Sequence, residues 1–235
     1  MGRAFEKRKT QKMARWSQIS KAFTRIGKEI AMSVKQGGPD PVSNPRLRMA
    51  MQNAKAANMP KEKVENAIKK ASNKEEKDFD EVVYEGYGPY GVAILVECAT
   101  DNPTRTVANV RSYFKKHDGE LGKTGSLDFL FERQGVFTLN KGNLDPEELE
   151  LELIDFGAEE VDVDGEEIYI YTAFSDFGTM QKAIEDKGIE LIKAELQRFP
   201  TTTVTVTEEQ EEQINKLLEK LEEDDDVQQV FHNMA

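Results

Sequence analysis

The chain has 235 residues, of which 38% are hydrophobic and 32% charged, with one cysteine and a net charge of −12. That composition supplies one to three hydrophobic cores and excludes a disordered chain, a disulfide scaffold and, with no apolar run near ~20 residues, a membrane-spanning helix. The charge is divided by position: residues 1–77 hold 19 Lys and Arg against 7 Asp and Glu, a net +12, while residues 78–235 hold 13 against 37, a net −24.

From the N-terminus, the first 14 residues read as a mobile or extended basic arm. In residues 16–36 the side chains Ile19, Phe23, Ile26 and Ile30 recur at spacings of four, three and four, the stripe of an amphipathic helix. Gly37-Gly38 ends it and Pro39-Asp-Pro41 turns the chain. Asn44 followed by Pro45 is a helix start, since the amide caps free N–H groups and proline suits the first helical position. Leu47, Met51 and Ala54 form the inner side of that helix. Pro60 opens a third, with Val64, Ile68 and Ala71 inward and Lys61, Lys63, Lys69 and Lys70 toward solvent. Together they predict a small three-helix bundle over residues 1–77.

Residues 72–81 read as a linker. A buried strand is expected at 92–96, a helix after Thr100-Asp-Asn-Pro103 with Val107, Val110 and Phe114 inward, and a second strand at 126–131. Residues 134–200 then spell a full β-α-β-β-α-β series: strand 136–139, helix 145–156, a hairpin of 161–163 with 168–171 across Asp164-Gly165, a helix from Ser175 or Asp176, and strand 190–196. A strand at 203–206, a helix with the capping pair Thr207 and Gln210, and a strand at 227–231 follow. This last unit has no sheet of its own, so it is expected to complete the one begun at 82–133. The predicted class is α+β: a three-helix bundle and two ferredoxin-like α/β domains, the acidic one at 134–200 inserted into a discontinuous one at 78–133 and 201–235.

The sequence offers little for catalysis. His117 and His232 stand far apart with no nearby cysteine, so no zinc site of ordinary spacing exists, and no G-x-S-x-G elbow occurs. Gly119-Glu-Leu-Gly122-Lys-Thr124 imitates a phosphate loop, but His117 stands where that motif needs glycine, and the segment joins helix to strand rather than strand to helix. The turn Gly86–Gly91 reads as a hairpin or packing corner, or as a platform where Tyr87 and Tyr90 stack on bases. The acidic tract Glu222–Asp226 reads as a solvated helix end rather than a metal site, and Cys98 as a packing residue. No enzyme activity, cofactor or metal is expected.

The basic module differs. Lys7, Arg8, Lys9, Lys12 and Arg15 crowd into nine residues and Trp16 follows, which gives cations for phosphates and an aromatic ring that serves either for stacking or as a hydrophobic staple on the first helix. Lys21, Arg25 and Lys28 extend this set along the first helix, and Arg46 and Arg48 lie at a helix N-terminus, itself favourable to anions. These eleven residues are the expected nucleic-acid contacts. Backbone or shape recognition is expected rather than base readout.

Several long stretches are also familiar as a set: Pro39-Asp-Pro-Val-Ser-Asn-Pro-Arg-Leu-Arg48, Lys55-Ala-Ala-Asn-Met-Pro-Lys61, Tyr84-Glu-Gly-Tyr-Gly-Pro89, Thr100-Asp-Asn102 with Arg105-Thr-Val107, Gly122-Lys-Thr-Gly-Ser126 and Val227-Gln-Gln-Val-Phe-His-Asn233. Their order resembles the YebC family from about residue 20 to the end. The resemblance implies a helical bundle and two α/β domains, one inserted in the other. It implies a cytoplasmic, non-enzymatic DNA-binding transcriptional regulator. The family also includes mitochondrial translational activators and ribosome-associated factors that assist synthesis of proline-rich stretches, so ribosomal RNA and the ribosome are the alternative partners. Many members begin with a Gly-His-Ser-Lys-Trp motif. Here Lys12-Met-Ala-Arg-Trp16 stands close to Phe23-Thr24 without the histidine, and no role of that histidine carries over. A monomer is expected, with no membrane partner. A protein-interaction adaptor, with the basic arm incidental, is the remaining class.

Overall fold

The computed structural model describes residues 3–73 and 78–235, with side chains described from residue 19 onward. It divides into two compact units, residues 1–79 with 223–225, and residues 80–222 with 226–235.

The first unit is helical. Helix α1 (Arg3–Gly37) begins far earlier than the hydrophobic stripe, and the expected extended arm is instead helix from Arg3. The reason is compositional: residues 3–15 are mainly Ala, Arg, Lys, Gln, Glu and Met, with no glycine or proline to stop a helix running back. Helices α2 (Pro45–Ala56) and α3 (Lys61–Ala71) pack on α1. Their shared core joins Ile30 and Val34 to Leu47, Ala50, Ala54 and Val64. The α1 stripe overshoots this core, because Ile19 is exposed and Phe23 only half-buried, carrying the Lys63 ammonium 5.0 Å above its ring.

One buried side chain holds the α1–α2 corner. Asn44 accepts from the Leu47 N–H at 3.1 Å through Oδ1, as the cap expected of it. Its Nδ2 donates to the Ser33 and Gly38 carbonyls at 2.7 and 2.8 Å. Gly38 reverses the chain at φ +84°, a conformation that L side chains rarely adopt. A single amide thus closes one helix and starts the next.

The second unit contains two four-stranded sheets. One has the order β3-β1-β2-β8, from β1 (Asp80–Tyr87), β2 (Ala93–Thr100), β3 (Glu120–Leu121) and β8 (Val227–His232). The other has the order β5-β6-β4-β7, from β4 (Phe131–Asn140), β5 (Ala158–Asp164), β6 (Glu167–Ala173) and β7 (Leu191–Pro200). All pairings between these strands are antiparallel. Helices α4 (Pro103–Lys116) and α7 (Glu208–Glu222) cover one face of the first sheet, where Ile94, Val96 and Cys98 meet Val110, Phe114, Ile214 and Leu217. Ala93 and Leu95 point to the opposite face and pack on Leu127 and Phe131. Helices α5 (Pro146–Leu153) and α6 (Phe177–Asp186) belong to the second sheet, completing its β-α-β-β-α-β series. Strand β8 pairs with β2, so the segment after the second sheet completes the first one.

In this second unit the structure corrects three further expectations. Residues 80–87, placed partly in the linker and partly in a turn, form β1, which pairs with β2 along its whole length. Residues 126–131 are not a strand: they form a bend and a 3-10 turn at Asp128–Leu130 before β4 begins at Phe131. Residues 203–206 reduce to a single parallel bridge, Val204 with Met234. There Asn233 does the work of a ladder, accepting from the Ala93 N–H at 2.8 Å and donating to the Thr202 carbonyl at 3.2 Å. The capping pair is present, with Thr207 N–H donating to Gln210 Oε1 at 3.0 Å and Gln210 N–H donating to Thr207 Oγ1 at 3.4 Å.

Asn44→Ala is expected to destabilise the helical unit by about 2–4 kcal/mol, since it removes a cap and leaves two carbonyls without their partner. Asn44→Asp retains the cap acceptor but turns a carboxylate oxygen toward those carbonyls, so it does not restore stability. Urea unfolding followed by helical circular dichroism checks both.

Candidate nucleic-acid interface

The side chains of Lys7, Arg8, Lys9, Lys12, Arg15 and Trp16 lie outside the described ones, and their backbone is part of α1. Lys21, Arg25 and Lys28 follow one another at spacings of four and three, which puts them on one helix face, and all three are half-buried. The Lys28 ammonium stands 5.3 Å over the Phe79 ring. Exposed lysines also stand on α2 and α3: Lys55, Lys61, Lys63, Lys69 and Lys70.

Arg46 and Arg48 are placed otherwise than an outward phosphate clamp. Arg46 Nε and Nη2 donate to the two carboxylate oxygens of Glu29 at 2.8 and 3.3 Å, while Nη1 donates to Gln36 Oε1 at 2.6 Å. This fork ties the start of α2 to the last turns of α1. Arg48 Nη1 donates to the Pro41 and Val42 carbonyls at 2.8 and 3.0 Å. Asp40 supports the same loop, accepting from the Val42 N–H at 3.0 Å and the Ser43 hydroxyl at 3.2 Å. Arg48 therefore shapes the loop at 39–44, whose tip carries Val42 with 82% of its surface exposed, while Arg46 anchors the start of α2 to α1. Sequence spacing places these arginines at a helix start but does not show that Glu29, one helix away, meets Arg46.

The second unit resolves the other candidates. The loop Gly122–Ser126 does cradle an anion, but an internal one. The buried Glu85 carboxylate accepts from the Gly125 and Leu127 N–H groups, each at 2.6 Å. Gly122 N–H also donates to the Glu85 carbonyl at 2.7 Å. The amides that a phosphate would need are engaged by β1. The turn after β1 is a hairpin corner: Tyr90 adopts φ 63° and its hydroxyl donates to Gln213 at 2.6 Å. Tyr87 and Tyr90 both remain about half exposed. Gly86 and Gly119 let two turns touch, for a Cβ on Gly86 would lie 2.6 Å from the Glu120 carbonyl oxygen.

The acidic tract ends in a structural residue. Asp226 Oδ2 accepts from Thr100 Oγ1 at 3.2 Å, Thr106 Oγ1 at 2.8 Å and Arg105 Nη2 at 2.6 Å. Those bonds fix β8 to the start of α4, and the hydrogen bond and charge of Asp226 push the Arg105 pKa up. Arg198 on β7 donates to Glu97 at 2.7 Å and to Asp128 at 2.8 Å, fastening the second sheet to the first. Burial opposes its charge, but the two carboxylates outweigh burial and raise its pKa. No helix among the described residues is long and apolar enough to cross a membrane.

Two family models account for nearly all of this. The TACO1/YebC protein N-terminal domain matches residues 3–74, and the TACO1/YebC second and third domain matches residues 79–234. The chain belongs to the TACO1/YebC family. A relative from Cytophaga hutchinsonii is 65% identical over all of this chain and 99% of its own, and one from Porphyromonas gingivalis is 58% identical over all of this chain and 97% of its own. Each is named a probable transcriptional regulatory protein. The crystal structure of a conserved hypothetical protein from Aquifex aeolicus matches with a TM-score of 0.80 at 42% identity, covering 93% of this chain and 90% of that one. Within the matched N-terminal domain, residues 39–44 are thus a loop braced by Arg48, and Arg46 ties the helix that follows to α1.

Arg46→Ala is expected to cost the helical unit about 1 kcal/mol, the pair being partly exposed. Arg46→Lys recovers little of it, because an ammonium cannot bridge both Glu29 oxygens. Chemical denaturation of the two variants measures the difference.

Proposed function

We propose that this protein is a non-enzymatic regulator of gene expression that binds nucleic acid through residues 1–77. The observation that carries this reading is the charge division, +12 over residues 1–77 against −24 over the remainder. A phosphate polymer is drawn to the first segment and repelled by the rest, so binding is confined to one end of the chain. The names of the relatives favour regulation of transcription, hence DNA, as its setting.

In this reading Lys7, Arg8, Lys9, Lys12 and Arg15 neutralise phosphates and Trp16 stacks, with Lys21, Arg25 and Lys28 continuing the basic track. Arg48 contributes through the loop it holds and Arg46 through the α1–α2 junction it ties. The chain works as three modules: the basic helices of 1–77, a discontinuous α/β domain of 78–133 and 201–235, and an acidic insertion of 134–200. The sheet orders support that division, since β8 returns to β2 only after the second sheet is complete.

Neutralising about six phosphates gives a slope near −5 for log affinity against log salt on duplex DNA. Charge reversal of Arg8, Lys9 and Lys12 to Glu is expected to lower affinity at low salt at least 100-fold and to flatten that slope. Unchanged binding by the triple variant removes the assignment. Sedimentation of the tagged protein with ribosomal particles at low salt, released at high salt, would move the target from DNA to ribosomal RNA.

A further inference from the structure

Residues 142–181 hold 13 Asp and Glu and no Lys, Arg or His, so these 40 positions carry more negative charge than the whole chain nets. Helix α5 lies within them. It buries Leu149 and Leu153 against its sheet, as an amphipathic helix should. Its opposite face is where the pattern breaks. Leu151 is 74% exposed and Ile154, three residues on, is 57% exposed. Residues at this spacing are neighbours on a helix surface. The positions around the pair on that face are Glu147, Glu150 and Asp155, all exposed. Glu152 is engaged by Lys187 at 2.7 Å on the flank of the helix.

A single exposed leucine needs no explanation. Two aliphatic side chains side by side, on a helix that already has a complete buried stripe, form an unpartnered face. The carboxylates around it select the occupant. Nucleic acid and acidic proteins are repelled. Small cations gain nothing from Leu151 and Ile154. A partner satisfies both features only if it carries cations and apolar side chains on one surface.

We infer that the outer face of α5 and of the 3-10 turn that continues it (Ile154–Phe156), centred on Leu151 and Ile154, is a docking surface for a basic amphipathic helix of a partner protein. The apolar pair supplies the buried centre of the contact and Glu147, Glu150 and Asp155 supply its charged rim.

The test uses the full chain and two fluorescein-labelled peptides of identical lysine and leucine composition, one ordered as an amphipathic helix and one scrambled. Anisotropy is expected to show salt-sensitive binding of the ordered peptide at least tenfold tighter than the scrambled one. Leu151→Ser with Ile154→Ser is expected to abolish that preference, at an unchanged thermal midpoint because both side chains are exposed. Glu147→Gln with Glu150→Gln and Asp155→Asn, at equally exposed positions, is expected to weaken both peptides. Equal binding of the two peptides, or a preference that survives the serine variant, overturns the proposal. Sedimentation velocity is the second readout: self-association that disappears in the serine variant would assign the face to another copy of this chain and likewise overturn it.

Discussion

Everything in the sheet-containing unit depends on one pairing, that of Phe131 with Pro200. The chain leaves the first sheet at residue 130 and returns at 201, and it can return only because β4 and β7 run antiparallel side by side. Their ladder brings entry and exit together, and the Thr201 N–H then donates to the Leu130 carbonyl at 2.9 Å. Arg198, just inside that junction, reaches Glu97 and Asp128 and so ties the ladder to the sheet it interrupts. With the two ends fixed, some seventy residues of second sheet hang from the first without disturbing its strands.

The same economy governs the rest of the structure. Buried backbone groups that no ladder reaches must still find partners. At three corners a single polar side chain supplies several at once, and at a fourth Asp226 does the same for side-chain donors. Asn44 closes α1 and opens α2, Asn233 stitches residue 202 to β2, Glu85 gathers the loop after β3, and Asp226 receives two threonines and an arginine. Three of the four lie in the stretches that carry the resemblance to the YebC family. These residues therefore serve construction, and their presence in a motif does not make them ligands.

What could be read in the sequence follows from how local the signal is. Asn44-Pro45, Asn102-Pro103, Asp145-Pro146 and Thr207 with Gln210 each announce a helix through residues four apart or fewer, and each helix begins there. Asp164-Gly165 announced its hairpin equally well, with Gly165 at φ +59°. Strand β1 was hidden because its centre, Tyr84-Glu-Gly86, buries a carboxylate and a glycine, neither of which reads as a strand interior. Burial of Glu85 is intelligible only with the amides of residues 125 and 127, forty positions away. The basic track shows the same divide. Its composition is plain in the sequence, whereas the engagement of Arg46 by Glu29 depends on how α2 lies against α1.

The return of β8 to β2 also has a temporal side. Joining Cys98 to Val227 closes a very long loop, and closure entropy grows with the logarithm of loop length. Once β4 and β7 have paired, the effective loop is roughly halved, which lowers the cost by about 0.6 kcal/mol. The insertion is therefore the part that profits from folding first. During synthesis the apolar edge of β2 has no neighbour on its β8 side until Val227–His232 has been made. An unfinished chain presents Ile94 to Cys98 as an open strand edge, the kind that recruits other chains. The C-terminal strand is thus a seal as well as a structural element, and the length of time it is missing sets the window in which this protein is prone to aggregate.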